Sequence, residues 1–263
     1  MKRFGRFTTL FLAVALALTS LTSVAANRPS VAVANRAGAS VKGVVYADGK
    51  PMRGVAVSDG RAIVLTDAQG RYWLPSAKRN GSVFITIPSG YEAEADGVFP
   101  RFWAALEAPR GEVEQHDFHL TKVDNDRHVM LAVTDIHLSN QFSDIEQFCT
   151  RFIPSVNKLA EGLGDVRVYS LNMGDSTWDG YWYTNLYTLD DFHRTMNIVG
   201  YPGQMFCAMG NHDNDGATVH SDTVDFEASS AYRRVMGPRY YSFNIGKVHY
   251  IMLDNIVYVN TPK

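Results

Sequence analysis

The stretch Val129-Met130-Leu131-Ala132-Val133-Thr134-Asp135-Ile136-His137 decides how the second half of the chain reads. Its five leading apolar residues predict a buried strand. The string Thr134-Asp135-Ile136-His137 then puts a carboxylate and an imidazole just past that strand's carboxyl end. The arrangement recurs twice. Val166 to Leu171 leads into Met173-Gly174-Asp175, and Met205 to Met209 leads into Gly210-Asn211-His212-Asp213. Open α/β sheets bind ligands outside the carboxyl ends of their strands. The three strings are therefore expected at one edge of one sheet. Carboxylate, imidazole and amide donors together suit borderline or hard metal ions.

The spacing within each string carries its own expectation. In an extended chain, residues i and i+2 share a face, so Asp135 and His137 are expected to grip one ion from one side. Gly174 lets the backbone turn sharply just before Asp175. The two oxygens of Asp175 can bridge two cations, and Asn211 offers a carbonyl oxygen to the second. His212 projects into the same space, and Asp213 is expected to fix its tautomer. Each residue also has a plainer role open to it: Asp135 as a turn cap, Asn211 in a left-handed turn, His212 as a core histidine.

D-x-H, G-D and G-N-H-D, in this order, resemble the calcineurin-like metallophosphoesterase family over roughly residues 127 to 255. The resemblance implies an α/β (α+β) fold of layered sheets with flanking helices. It implies two divalent or mixed-valence ions of manganese, zinc or iron, with Asp135, His137, Asp175 and Asn211 as metal ligands. It makes His212 and Asp213 the catalytic pair in hydrolysis of a phosphomonoester or phosphodiester, for which a nucleotide or a phospholipid head group is a suitable small substrate. It also implies further histidines, two of them in a G-H-x-H string. The chain has 8 histidines, and none stands in such a string. His220 falls in a polar loop and His249 within an apolar strand. The sequence therefore reads as a C-terminally truncated piece of a longer phosphoesterase, residues 127–263 holding most of one metal site and half of the other.

Residues 1–26 carry Lys2, Arg3 and Arg6, then the apolar run Thr8 to Leu18, then small residues to Ala26. That is the pattern of a secretory signal peptide, and it predicts a secreted or periplasmic protein with no membrane span after cleavage. Residues 27–38 read as a flexible leader. From Val41 to Leu120, short alternating segments are separated by turn signals such as Asp48-Gly49 and Asp59-Gly60, which predicts a small all-β sandwich over residues 39–123. The phrase from Val44 to Leu74 resembles carboxypeptidase-regulatory-like domains. Tyr72, Trp73, Phe102 and Trp103 are either core and interface residues or a glycan-binding platform. Asp124-Asn125-Asp126 reads as a solvated join.

Beyond the join, a helix is expected from Asp144 to Leu163, with a capping box at Ser143 and Glu146 and a kink at Pro154. Further helices are expected near Leu189–Val199 and Val224–Met236, and a strand pair turning at Gly246. Trp178, Tyr181, Trp182, Tyr183 and Tyr187 crowd behind Asp175, as a substrate wall or as packing. Asp179 and Asp215 read as solvated or capping residues. The net charge of −2 offers no basic field for nucleic acid. Cys149 and Cys207, the 2 cysteines, can pair or remain buried thiols. A non-catalytic extracellular protein that binds glycan or protein through the sandwich, or an inactive fragment of a longer enzyme, is the competing reading.

Overall fold

The computed structural model describes residues 30–259. The signal-peptide reading of residues 1–26 lies outside the described residues. All elements described below belong to one unit that begins at Ala32.

The first part is a succession of short strands: β1 (Val41–Ala47), β2 (Lys50–Pro51), β3 (Ala56–Ser58), β4 (Ile63–Leu65), β5 (Arg71–Leu74), β6 (Ser82–Ile85), β7 (Tyr91–Ala93), β8 (Ala95–Asp96), β9 (Phe99–Pro100), β10 (Trp103–Ala105), β11 (Glu114–Gln115) and β12 (Phe118–Lys122). One sheet has the order β11-β1-β12-β7, with β2 and β5 also paired to β1; another has the order β10-β6-β3-β4. Val41, Val45, Tyr72 and Leu74 from the first sheet meet Val57, Val83 and Ile85 from the second in one cluster, each no more than 1% exposed. Two sheets sharing a core in this way are compatible with a sandwich. The β1–β2 hairpin turns at Asp48 and Gly49, both with positive φ, as an Asp-Gly turn requires. The strands between Tyr91 and Ala105 carry no clean alternation and were not expected. Within the leader, Val33 is buried beside Val44 and Tyr46, and the Arg36 guanidinium lies 3.9 Å over the Trp73 ring.

The join is a clamp at its centre, not a solvated linker. Asn125 is buried: its Oδ1 accepts from Gly246 N at 2.9 Å, and its Nδ2 donates to Tyr169 Oη at 3.3 Å. A polar side chain removed from water needs such partners. Only Asp124 and Asp126 on either side face solvent.

The second part runs β13 (His128–Val133), α1 (Asp144–Gln147), a π turn (Phe148–Phe152), α2 (Ile153–Glu161), β14 (Arg167–Asn172), α3 (Leu189–Val199), β15 (Gln204–Cys207), α4 (Val224–Ala228), α5 (Ser230–Val235), β16 (Tyr241–Ile245) and β17 (Val248–Met252). The three strands β13-β14-β15 are parallel, and Val133, Asn172 and Cys207 stand in register. The three chemical strings thus leave the sheet at nearly one level. Strands alternate with helices, giving a mixed α/β architecture.

The core is continuous across the join. Phe206 of β15 stacks on Phe243 of β16 at 3.6 Å, and Phe102 reaches over to Tyr241 at 4.7 Å. Tyr72 and Phe102 are therefore core residues, not an exposed platform. A second cluster joins Phe148, Phe192, Met196, Met205 and Tyr232 on the helical side.

The helix after β13 forms, but its details differ from expectation. Pro154 has no N–H to give to the turn before it, and the helix passes through the π turn just ahead of it. The Ser143–Glu146 capping box does not form; Ser143 Oγ instead accepts from Gln147 Nε2 at 2.6 Å. A capping box does form at α3, where the Asp191 carboxylate accepts from Thr188 N at 2.9 Å. Both cysteines are free thiols, and burial pushes the Cys207 thiol well above its ordinary value. Among the described residues no helix is long and apolar enough to cross a membrane.

Candidate metal centre

Past the ends of β13 and β14 the two chains continue side by side. Asp135 N donates to Gly174 O at 3.1 Å, His137 N to Asp175 O at 2.9 Å, and Leu138 N to Ser176 O at 3.0 Å. The path is nevertheless not extended. φ is +54° at Asp135, +47° at His137 and +54° at Asp175. The expectation that strand periodicity aligns Asp135 with His137 is therefore corrected. Left-handed turns on either side of Ile136 bring the two side chains together. Aspartate and histidine tolerate this conformation better than most residues, and it still costs on the order of 1 kcal/mol or more at each position.

The result is a convergence of donors. His137 Nε2 lies 3.6 Å from Asp135 Oδ1 and 3.4 Å from Asp175 Oδ2. Ligand atoms of His137, Asp175 and His212 all lie within 4.8 Å of one another. Two donors on one tetrahedral ion, each about 2.1 Å away, stand roughly 3.4 Å apart. His137 and Asp175 fit that spacing, which is too long for a hydrogen bond. Asn211 is exposed and opens a 3₁₀ turn (Asn211–Asp213) that also carries His212.

The two motif glycines have a steric reason. The loops after β14 and β15 cross at Gly174 and Gly210. A Cβ on Gly174, whose φ is +109°, would stand 2.7 Å from Gly210 Cα; one on Gly210 would stand 2.1 Å from Asp175 Oδ1. No side chain fits either place.

Asp213 does not orient the His212 ring. It is fully buried, and its carboxylate accepts from Asp175 N and Gly210 N at 2.9 Å and from Ser176 N at 3.0 Å. It staples the two crossing loops. Burial pushes its carboxyl up to about 7, against the pull of those backbone N–H groups. The ring of His212 is held by Asp179, whose Oδ1 accepts from Nδ1 at 2.7 Å. Asp179 was expected to be solvated or capping; no motif spacing marks it, and only the fold brings it to the ring. A Cβ on Gly216 would sit 2.2 Å from Asp179 Oδ2, so that carboxylate is closely packed. The His212 backbone N–H donates to Asp175 Oδ1 at 2.9 Å, tying the third string to the second.

The aromatic loop divides between the two roles open to it. Trp182 and Tyr187 are buried, with Trp182 Nε1 donating to Thr177 Oγ1 at 2.8 Å. Tyr183 is exposed and donates to Asp215. Trp178 stands edge-on to both histidine rings, with centroids 5.6 Å from His137 and 5.4 Å from His212. A cavity of ≈ 910 Å³ opens beside Asp135, His137 and Trp178.

Residues 39–123 match the protein-family model described as "N terminal of Calcineurin-like phosphoesterase". The match supports that family for this chain. The family suggests a hydrolase acting on phosphoesters and is usually metal-dependent, which agrees with the His137, Asp175 and His212 group. No curated protein matches the sequence closely enough to support a relationship.

Proposed function

We propose that the protein is an exported, metal-dependent phosphoesterase that hydrolyses a phosphomonoester or phosphodiester with two bound cations. The observation that carries this reading is the convergence of Asp135, His137, Asp175 and His212 at the ends of parallel strands. It is supported by the family match of the preceding region. Asp135 and His137 would hold the first ion, Asp175 would serve both, and Asn211 the second. Cations bound there would supply a water acidic enough to attack near neutral pH and positive charge for the phosphoryl oxygens.

The chain's own residues do the rest. With Nδ1–H donated to Asp179, His212 has Nε2 left for the site; in its imidazolium form it carries Nε2–H and gives that proton, or a hydrogen bond, to the leaving oxygen. Asp179 holds Nδ1–H and steadies the ring. Asp213 holds the Asp175 and Gly210 backbones in place. Trp178 walls the histidines from bulk water on one side. Export rests on the N-terminal pattern of residues 1–26.

The test is hydrolysis of an aryl phosphate monoester and the matching diester in manganese, with metal content measured on the same sample. Turnover that Asp175→Asn abolishes is the expected result. Turnover that survives this substitution would overturn the site.

A further inference from the structure

The cavity beside the candidate metal centre, ≈ 910 Å³ in volume, has the size of a small-molecule pocket. One wall is the loop from Val133 to Ser139, which carries Asp135 and His137. The facing wall is a single helical stripe through α1, the π turn and α2, made by Gln147, Phe148, Arg151, Phe152 and Ser155. Their spacing of one, three and four residues puts them on one face. Trp178, edge-on to both histidine rings, lines the cavity as well.

Arg151 is the unusual member of that stripe. It is exposed, and among the described residues no carboxylate lies in ion-pair contact with it. Asp144, on the same stripe, is engaged by the Ser139 hydroxyl at 2.9 Å. Arg151 also sits within the π turn, a distortion that occurs often at functional sites. Arg151 is the one guanidinium lining a cavity that also presents Phe148, Phe152, neutral polar groups and the carboxylates of Asp135 and Asp144; with no carboxylate in ion-pair contact, it is suited to an oxyanion, which it binds with two parallel hydrogen bonds. That oxyanion is not the reacting phosphate, which the proposed function puts beside Asp175 and His212, neither of which lines this cavity.

We propose that this cavity receives the alcohol part of the phosphoester, and that this part carries its own oxyanion, a carboxylate or a second phosphate, bound by Arg151. The inference rests on the phosphoesterase reading for what lies at Asp175. It narrows the substrate to phosphoesters with two separated anionic groups on an apolar frame.

Calorimetry on the full chain in manganese tests it with three probes: phenylphosphonate, 4-carboxyphenylphosphonate and 1,4-phenylenediphosphonate. At least one two-anion probe is expected to bind about tenfold tighter than phenylphosphonate, and the tighter of the two identifies the oxyanion. Arg151→Met is expected to bring the ratio to about one, and Arg151→Lys to keep part of it, because a point charge lacks the planar fork. Equal binding of all three probes by the native protein, or a ratio that survives Arg151→Met, would overturn the proposal. Hydrolysis of 4-nitrophenyl phosphate in the same buffer reads the enzyme separately. Hydrolysis without probe preference defeats the cavity proposal alone. Preference without hydrolysis defeats the phosphoesterase reading and leaves the Arg151 site standing. Arg151 is exposed, so a melting curve near the native one is expected to show that its substitution leaves the fold intact.

Discussion

The strand-rich first part and the parallel-sheet edge of the second treat charge in opposite ways. In the first part, carboxylates are paired within the fold. Asp59 accepts from Ser76 Oγ at 2.6 Å, Asp67 binds Arg71, and the Lys78 ammonium lies 2.5 Å from Glu114. Its left-handed positions are mostly glycines. At the sheet edge, Asp135, His137 and Asp175 occupy left-handed conformations themselves, and His137 faces two carboxylates beyond hydrogen-bond range. Charges in the first part support the fold. At the sheet edge the fold holds charges in strained, left-handed positions, which agrees with the metal site proposed above.

The largest effect expected from that contrast is on turnover. Asp175→Asn is expected to lower kcat on an aryl phosphate in manganese by about a thousandfold, the upper range for losing one electrostatic contact to a transition state. Its thermal unfolding should stay close to native, because the amide can still accept the His212 N–H. A sandwich charge should behave the other way. Lys78→Met leaves the part-buried Glu114 without its ammonium partner and is expected to cost about 2 kcal/mol in denaturant unfolding, as for losing a hydrogen bond to a charged group, while kcat per folded molecule holds. A kcat that falls with Lys78→Met would break the comparison.

Gly210→Ala joins the two effects. The new methyl meets Asp175 at both its carboxylate and its backbone, so the loops must part. A stability loss of about 2 kcal/mol is expected, as for overpacking, together with weaker manganese binding in a metal titration. Asp179→Asn should act more gently, lowering kcat about tenfold, the lower range for a group that orients a functional histidine. The loss should fall on kcat, with KM near native, because the ring acts on the leaving group and not on substrate binding. A loss carried by KM instead would mean that Asp179 only packs the loop.

Much of the second part was legible because its signals are local. Apolar runs ending in Asp135, Asp175 and Asn211 gave the three parallel strands, and their common level follows from strand register alone. What could not be read were contacts made between distant segments. Asp179 reaches His212 only because two loops fold over one another, and Asp213 is drawn away from that ring by three backbone N–H groups that no spacing reveals. The extended reading of Asp135 and His137 failed for a related reason. Pairing with the Gly174 to Ser176 backbone overrides strand geometry and forces both residues left-handed. In the first part, turns at Asp-Gly were plain, but β7 to β10 are too short and irregular for alternation to show.

The smallest expected effect is the pH response of the Lys78–Glu114 pair. Burial alone would raise the Glu114 carboxyl, yet hydrogen bonds from Lys78, His116 and the Glu107 N–H outweigh it and hold the group below its ordinary value. A carboxylate held low in the folded chain binds protons less readily there than in the unfolded chain. Its contribution to stability is therefore present above the ordinary carboxylate range and fades as pH falls through the lowered folded value. Denaturant midpoints taken between neutral and acid pH should decline over that window. In Lys78→Met, burial is opposed only by His116 and one backbone N–H, so the acid decline should flatten. An equal decline in both proteins would place the acid-sensitive carboxylates elsewhere, and the contrast between the paired sandwich charges and the His137 cluster at the sheet edge would lose its clearest support in the first part.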